Sequence, residues 1–180
     1  MKIISGKYKG RRLKGFDIEG TRPTMDRVKE SLFASINSYL EGSKVLDLFA
    51  GSGNLGIEAL SNGSSFVFFC DKNKKCINVI KDNLKEIGDY NYKTYLGDFR
   101  TYLKNDINKY DIIFIDPPYK TNFIPIALEI IDKNNLINKG GIIVLELDNM
   151  DNLVFDNNKY EIIKNKKYSD KYIVILKNLL

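Results

Sequence analysis

The chemistry in this sequence gathers at two turns, each following an apolar run. The first is Gly51-Ser52-Gly53-Asn54-Leu55-Gly56, a complete G-x-G-x-x-G, with Asp71 about twenty residues further on. Glycines let a backbone approach a ligand closely, and an acid at that distance accepts hydrogen bonds from ribose hydroxyls. Asp47 sits four residues ahead of Gly51, still inside the preceding apolar run. The second turn is Asp116-Pro117-Pro118-Tyr119, behind Tyr110-Asp111-Ile112-Ile113-Phe114-Ile115.

The glycine turn by itself admits NAD, FAD or S-adenosylmethionine, and Asp47 separates them. A carboxylate aimed at the ligand would repel a pyrophosphate, which favours positive helix-end potential. It would stabilise a ligand bearing a sulfonium and an ammonium, more strongly than in bulk water. S-Adenosylmethionine is therefore the expected cofactor, and a nicotinamide oxidoreductase is the weaker reading. Asp98, in Leu96-Gly97-Asp98-Phe99, is placed to accept from an adenine amino group or to cap a helix, and Phe99 to contact the ring.

In Asp116-Pro117-Pro118-Tyr119 two prolines fix the backbone and remove two amide donors, leaving carbonyls to face inward. A base amino group carries two N–H donors. One carboxylate and one proline carbonyl can hold both and aim the nitrogen lone pair at a methyl donor. Positioning and electrostatics then carry the catalysis, because the cofactor already holds an activated methyl. Asp116 is also next to the charge that develops on nitrogen, and Tyr119 offers an aromatic face for the base.

Composition narrows the options further. The 180 residues fit one domain with a real core, with 43% hydrophobic and 28% charged residues. The sequence has no histidine, which removes the usual general base, metal ligand and nucleophile activator. Two cysteines, Cys70 and Cys76, are too few for a disulfide framework or a four-cysteine zinc site. No metal is expected. No apolar run reaches the ~20 residues of a membrane span, and the first residues lack a secretory apolar segment. A cytoplasmic protein that makes no membrane contact is expected. The formal charge of +5 favours a polyanionic partner.

The elements that must position these residues alternate. Strands are predicted at 45–49, 66–70, 92–96, 110–115 and 141–147, with a closing hairpin at 159–166 and 171–177. Helices are predicted at 54–62, 74–86, near Thr101 and after Asn122. Such alternation implies an α/β fold with a mostly parallel sheet covered on both faces, and ligands beyond the carboxyl ends of the strands. Ahead of this core (43–180), residues 1–42 form a separate part. It comprises a basic arm of short extended pieces, a turn at Thr21-Arg22-Pro23-Thr24, and an amphipathic helix from Met25 to Tyr39.

Val45-Leu46-Asp47-Leu48-Phe49-Ala50-Gly51-Ser52-Gly53 with Asp116-Pro117-Pro118-Tyr119 resembles the amino-methyltransferases of the class I Rossmann-like fold. Lys9-Gly10-Arg11-Arg12-Leu13, Arg22-Pro23-Thr24, Asp26-Arg27-Val28-Lys29-Glu30 and Leu32-Phe33 are similar to the bacterial 16S rRNA guanine-N2 methyltransferase family that modifies guanine 966, as is Tyr168-Ser169-Asp170 near the end. The chain departs from that family at Ala34-Ser35, where Asn is frequent, and at Ser169, where Gly is. The resemblance implies a seven-stranded sheet, S-adenosylmethionine as donor, and a guanine of the assembled or assembling small ribosomal subunit as acceptor. It assigns Asp47, Phe49, Gly51, Gly53, Asp71, Lys72, Asp98 and Phe99 to the cofactor and Asp116 to Tyr119 to the guanine. Lys9, Arg11, Arg12, Arg22 and Arg27 are expected to contact RNA phosphates, which position without reading sequence. The protein is expected to act as a monomer. A DNA adenine-N6 methyltransferase is the nearest rival, although such enzymes usually carry a further target-recognition segment. A catalytically idle RNA-binding module is the rival from another class.

Overall fold

A computed structural model of the chain describes residues 1–15 and 23–180; the side chains of residues 23–25 and 152 also lie outside the described set. Seven strands form one sheet in the order β3-β2-β1-β4-β5-β7-β6. They are β1 (Lys44–Asp47), β2 (Phe66–Asp71), β3 (Tyr92–Leu96), β4 (Tyr110–Ile115), β5 (Ile137–Leu147), β6 (Tyr160–Tyr168) and β7 (Lys171–Asn178). The first five run parallel, and β7 enters antiparallel between β5 and β6. The order reverses between β1 and β4, which makes their carboxyl ends the switch point where such sheets bind ligands.

Alternation along the strands divides the core into two layers. Val45, Val67, Phe69, Ile112, Phe114 and Val144 face α1 (Pro23–Leu40), α2 (Asn54–Ser61) and α3 (Lys74–Ile87). Leu46, Ile113, Ile115, Ile143 and Leu145 face α4 (Phe99–Asn105) and α5 (Phe123–Lys133). In α1, Leu32, Phe33, Ile36 and Leu40 are buried, as their helical spacing requires. In α3 the Asn73 side chain accepts from the Lys75 N–H and Gly88, at φ 74, ends the helix. Cys70 and Cys76 are both buried, and burial pushes the Cys76 thiol up to about 11.

Most boundaries lie within one or two residues of the expectation, and two of the differences have a clear cause. β1 ends at Asp47, because the chain turns toward the glycines directly afterwards. β5 starts at Ile137, four residues earlier than its apolar run. Asn138-Lys139-Gly140-Gly141 has turn composition but forms an irregular stretch: Ile137 pairs with Tyr110, and the register then shifts before Ile142 meets Ile112.

The arm is a small hairpin docked on the core. Ile3 N–H donates to the Arg11 carbonyl and Leu13 N–H to the Met1 carbonyl, and the side chains of Ile3 and Leu13 are buried. A buried carboxylate anchors it. Glu58 of α2 accepts from the backbone N–H groups of Ile4 and Ser5, from the Ser5 hydroxyl, and from the Lys29 ammonium of α1 at 2.9 Å. Lys29 Nζ also donates to the Lys2 carbonyl and to Asn54 Oδ1. Gly6, at φ +79, lies so close to the Ser61 carbonyl that a Cβ would sit 1.9 Å from its oxygen.

Candidate active site

At the end of β1 the chain reverses through Gly51 (φ 55) and Gly53 (φ 82), left-handed positions that favour glycine. Gly53 opens α2, and its N–H donates to the Ala50 carbonyl at 2.7 Å. Gly56 serves packing instead: a Cβ there would meet the Phe69 ring at 2.3 Å, so only glycine lets α2 lie against β2. The N–H groups of Gly51, Gly53 and Gly56 are all engaged within the fold, and what the turn offers a ligand is space: a Cβ at Gly51 would meet nothing within 4 Å.

Three carboxylates shape this turn. Asp47 is 2% exposed, and its Oδ2 accepts from the Gly56 N–H at 2.9 Å. Burial pushes its pKa up to about 7, with the Asp71 charge adding to the rise and the Gly56 hydrogen bond opposing it. Asp71, at the carboxyl end of β2, accepts from the N–H groups of Gly51 and Asn73 through separate oxygens. It therefore ties the glycine turn to the neighbouring strand while remaining half-buried. Asp98 caps α4 by accepting from the Arg100 N–H. Arg100 also grips it in a two-pronged ion pair, at 2.8 Å from Nε and 2.7 Å from Nη2. That grip holds the carboxyl low, at about 2. The cap role of Asp98 is thus realised, and any hydrogen bond to an adenine would be shared with Arg100.

An aromatic group only partly legible in the sequence stands beneath this turn. Phe49 and Phe99 lie 4.9 Å apart, and Phe123 at the start of α5 joins them at 6.0 and 5.1 Å. Phe99 is buried between its two partners, whereas Phe49 and Phe123 are half-buried. No local pattern marks Phe123, because tertiary packing alone brings it there. Lys72 is exposed beside Asp71.

Asp116 follows β4, and Asp47 pairs with Phe114 two residues before it. Burial, with the Glu146 carboxylate adding to the rise and Lys171 opposing it, brings the Asp116 pKa up to about 7. The Pro118 carbonyl accepts from the Thr121 hydroxyl at 2.9 Å, whereas among the described residues the Pro117 carbonyl accepts no hydrogen bond. One acid and one free carbonyl therefore stand together at the strand end. Tyr119 is 60% exposed and presents its ring to solvent, with Lys120 Nζ 5.5 Å from the centroid.

Of the basic residues expected to meet RNA, Lys9, Arg11, Arg12 and Arg27 are exposed and in no ion pair among the described residues. Arg22 lies outside the described residues. Lys7 and Lys14, in the same arm, are paired with Asp89 and Asp82. Among the described residues no group of three or more His, Cys, Asp or Glu side chains could hold a metal ion, and no helix is long and apolar enough to cross a membrane.

This sheet order, with the glycine turn and the Asp-Pro-Pro-Tyr at its switch point, defines a class I, Rossmann-like methyltransferase fold. An Escherichia coli structure described provisionally as a methyltransferase, yhhF, superposes with a TM-score of 0.91 at 24% identity, covering 99% of this chain and 98% of that one. A Haemophilus influenzae crystal structure described provisionally as a methylase gives a TM-score of 0.84 at 30% identity, with 99% and 98% covered. The family model described as Conserved hypothetical protein 95 matches residues 1–177. A Bacillus subtilis protein named provisionally as an rRNA methyltransferase, YlbH, is 42% identical over 152 residues, 82% of this chain and 83% of that protein. Ribosomal RNA small subunit methyltransferase D of Buchnera aphidicola is 36% identical over 157 residues, 87% and 82% of the two chains. The chain belongs to the family of these methyltransferases.

Proposed function

We propose that the protein transfers a methyl group from S-adenosylmethionine to the exocyclic N2 of a guanine in 16S rRNA. Guanine 966 is the position to which the sequence resemblance points, and an assembled or assembling small subunit is the substrate particle. The observation that carries the reading is the juxtaposition at the switch point. A half-buried Asp116 and a Pro117 carbonyl that accepts no hydrogen bond among the described residues stand next to a glycine turn tied down by Asp47 and Asp71.

The residues present suit S-adenosylmethionine. The turn has left-handed glycines with open space at Gly51, the acids Asp47 and Asp71 flank it, and Phe49 gives it an apolar wall. Asp71 would accept from the ribose hydroxyls, and Asp47 would favour the positive end of the molecule. Gly51 and Gly53 would allow close backbone approach, with Lys72, Asp98 and Phe99 completing the surroundings. When bound, the cofactor supplies an activated methyl group.

The other steps belong to the chain itself. Asp116 Oδ and the Pro117 carbonyl accept the two N–H bonds of the amino group and direct its lone pair outward. Pro118 keeps the turn rigid and Tyr119 stacks on the extruded base. As positive charge develops on nitrogen, the Asp116 carboxylate stabilises it and can take the released proton. A guanine in an rRNA loop is already unpaired, which lowers the cost of extruding it.

Residues 1–42 act as the RNA-contacting part, with Lys9, Arg11, Arg12, Arg22 and Arg27 on phosphates and residues 43–180 as the catalytic core. The protein works as a monomer in the cytoplasm. The test is methyl transfer from labelled cofactor to under-methylated small subunits, with naked rRNA and duplex DNA in parallel and nucleoside mass spectrometry of the products. N2-Methylguanosine from the particle is expected. N6-Methyladenine from DNA would overturn the proposal.

A further inference from the structure

The sheet sets β4, β5 and β7 side by side, and their register carries a row of charge across its carboxyl edge. Ile115 pairs with Leu145, and Glu146 pairs with Ile173, so Asp116, Glu146 and Lys171 follow one another across the strands. Val144 and Ile173, two positions from Glu146 and Lys171, lie in the layer under α1; by alternation Glu146 and Lys171 share that side. Asp116 is near enough for both charges to act on it. Lys171 Nζ donates to Glu146 Oε1, while Glu146 Oε2 has no partner among the described residues. Both side chains are half-buried. A partly exposed ion pair of this kind contributes little to stability, so the fold does not require it.

The order of these groups matches one base. Read from its amino group, guanine presents two donors at N2, a donor at N1 and an acceptor at O6. With N2 held by Asp116, the next acceptor across the sheet is Glu146 and the next donor is Lys171. Adenine held by its N6 amino group would set the N1 lone pair against the Glu146 carboxylate and offer Lys171 only a C–H. We infer that Glu146 and Lys171 select guanine by its Watson–Crick edge, Glu146 accepting from N1–H and Lys171 donating to O6. The assignment rests on the guanine reading above.

The test uses small-subunit RNA particles carrying either guanine or 2-aminopurine at the target nucleotide. The analogue keeps the 2-amino group and lacks both N1–H and O6. The wild-type protein should prefer guanine by about 1,000-fold or more in kcat/KM, as a site built to hydrogen-bond a substrate rejects an analogue lacking the partner. Glu146→Gln should shrink that preference at least about tenfold, because the amide can also donate to a bare N1. Lys171→Met should shrink it similarly, and Lys171→Arg should restore most of it. Calorimetric cofactor binding at wild-type affinity reports that each variant is folded. Wild-type discrimination retained in Glu146→Gln and Lys171→Met overturns the inference, as does equal wild-type transfer to the two bases; in both cases the guanine-N2 reading stands. A wild-type protein that forms no N2-methylguanosine removes the underlying reading instead.

Discussion

Asp47 and Asp116 are carboxylates withdrawn from water on neighbouring strands, and their raised pKa values have opposite consequences for stability and for activity. For each group the folded pKa, about 7, exceeds the ordinary carboxylate value. The native state therefore holds extra protons between pH 4 and 7. Stability associated with these groups is full below about pH 4 and is lost as the pH rises through about 7. Asp47→Asn removes that loss while keeping an acceptor for the Gly56 N–H. It should raise stability at pH 8 by on the order of 1–3 kcal/mol in denaturant titration while weakening cofactor binding. In the proposed mechanism activity runs the other way, because an ionised Asp116 would be the better acceptor for a nitrogen gaining charge. The kcat/KM profile should have an acidic limb near pH 7, and Asp116→Asn should flatten it. The two halves of the site are also separable. Asp71→Ala should weaken cofactor affinity in calorimetry, whereas Asp116→Ala should cut turnover by about 100-fold or more with cofactor affinity nearly intact. Equal effects of both on cofactor affinity alone would refute this division of roles.

Helix α2 holds the glycine turn at one end and the arm along its side, so its seating decides the geometry of both. Gly56→Ala would drive a methyl into the Phe69 ring and should cost about 2–3 kcal/mol or more in thermal unfolding. Lys29→Met would leave Glu58 buried without its cation and should cost about 3–5 kcal/mol, with earlier proteolytic cleavage of the arm. How legible these elements were in the sequence follows from how local their causes are. The buried parallel strands β2 and β4 are continuous apolar runs, and α1 and α3 show helical spacing, so periodicity alone locates them. The start of β5 was hidden because Asn138 to Gly141 has turn composition, and only pairing with Tyr110 makes Ile137 a strand residue. The glycine turn and Asp-Pro-Pro-Tyr were legible because their chemistry lies within a few consecutive residues. Lys29 with Glu58, Phe123 with Phe49, and Glu146 with Lys171 were not, because each pair meets only through the tertiary fold.

Among the described residues Lys9, Arg11, Arg12 and Arg27, on the arm and α1, are exposed and in no ion pair, while Lys7 and Lys14 are neutralised by Asp89 and Asp82. Binding to the proposed ribosomal particle should therefore weaken steeply with salt. Replacing Lys9 and Arg12 with Ala should lower the slope of log affinity against log salt by roughly 0.7–0.9 for each phosphate no longer neutralised, measured by filter binding. An unchanged slope would remove these residues from the interface. The sheet order also bears on time. Strand β7 follows β6 in the chain yet lies between β5 and β6, so during synthesis β6 has no strand to join until β7 has been made. The glycine turn and Asp116 are translated earlier and can close around a cofactor first. Lys171 arrives with the keystone strand, so a nascent chain would gain the target pocket inferred above only at the final step of sheet assembly.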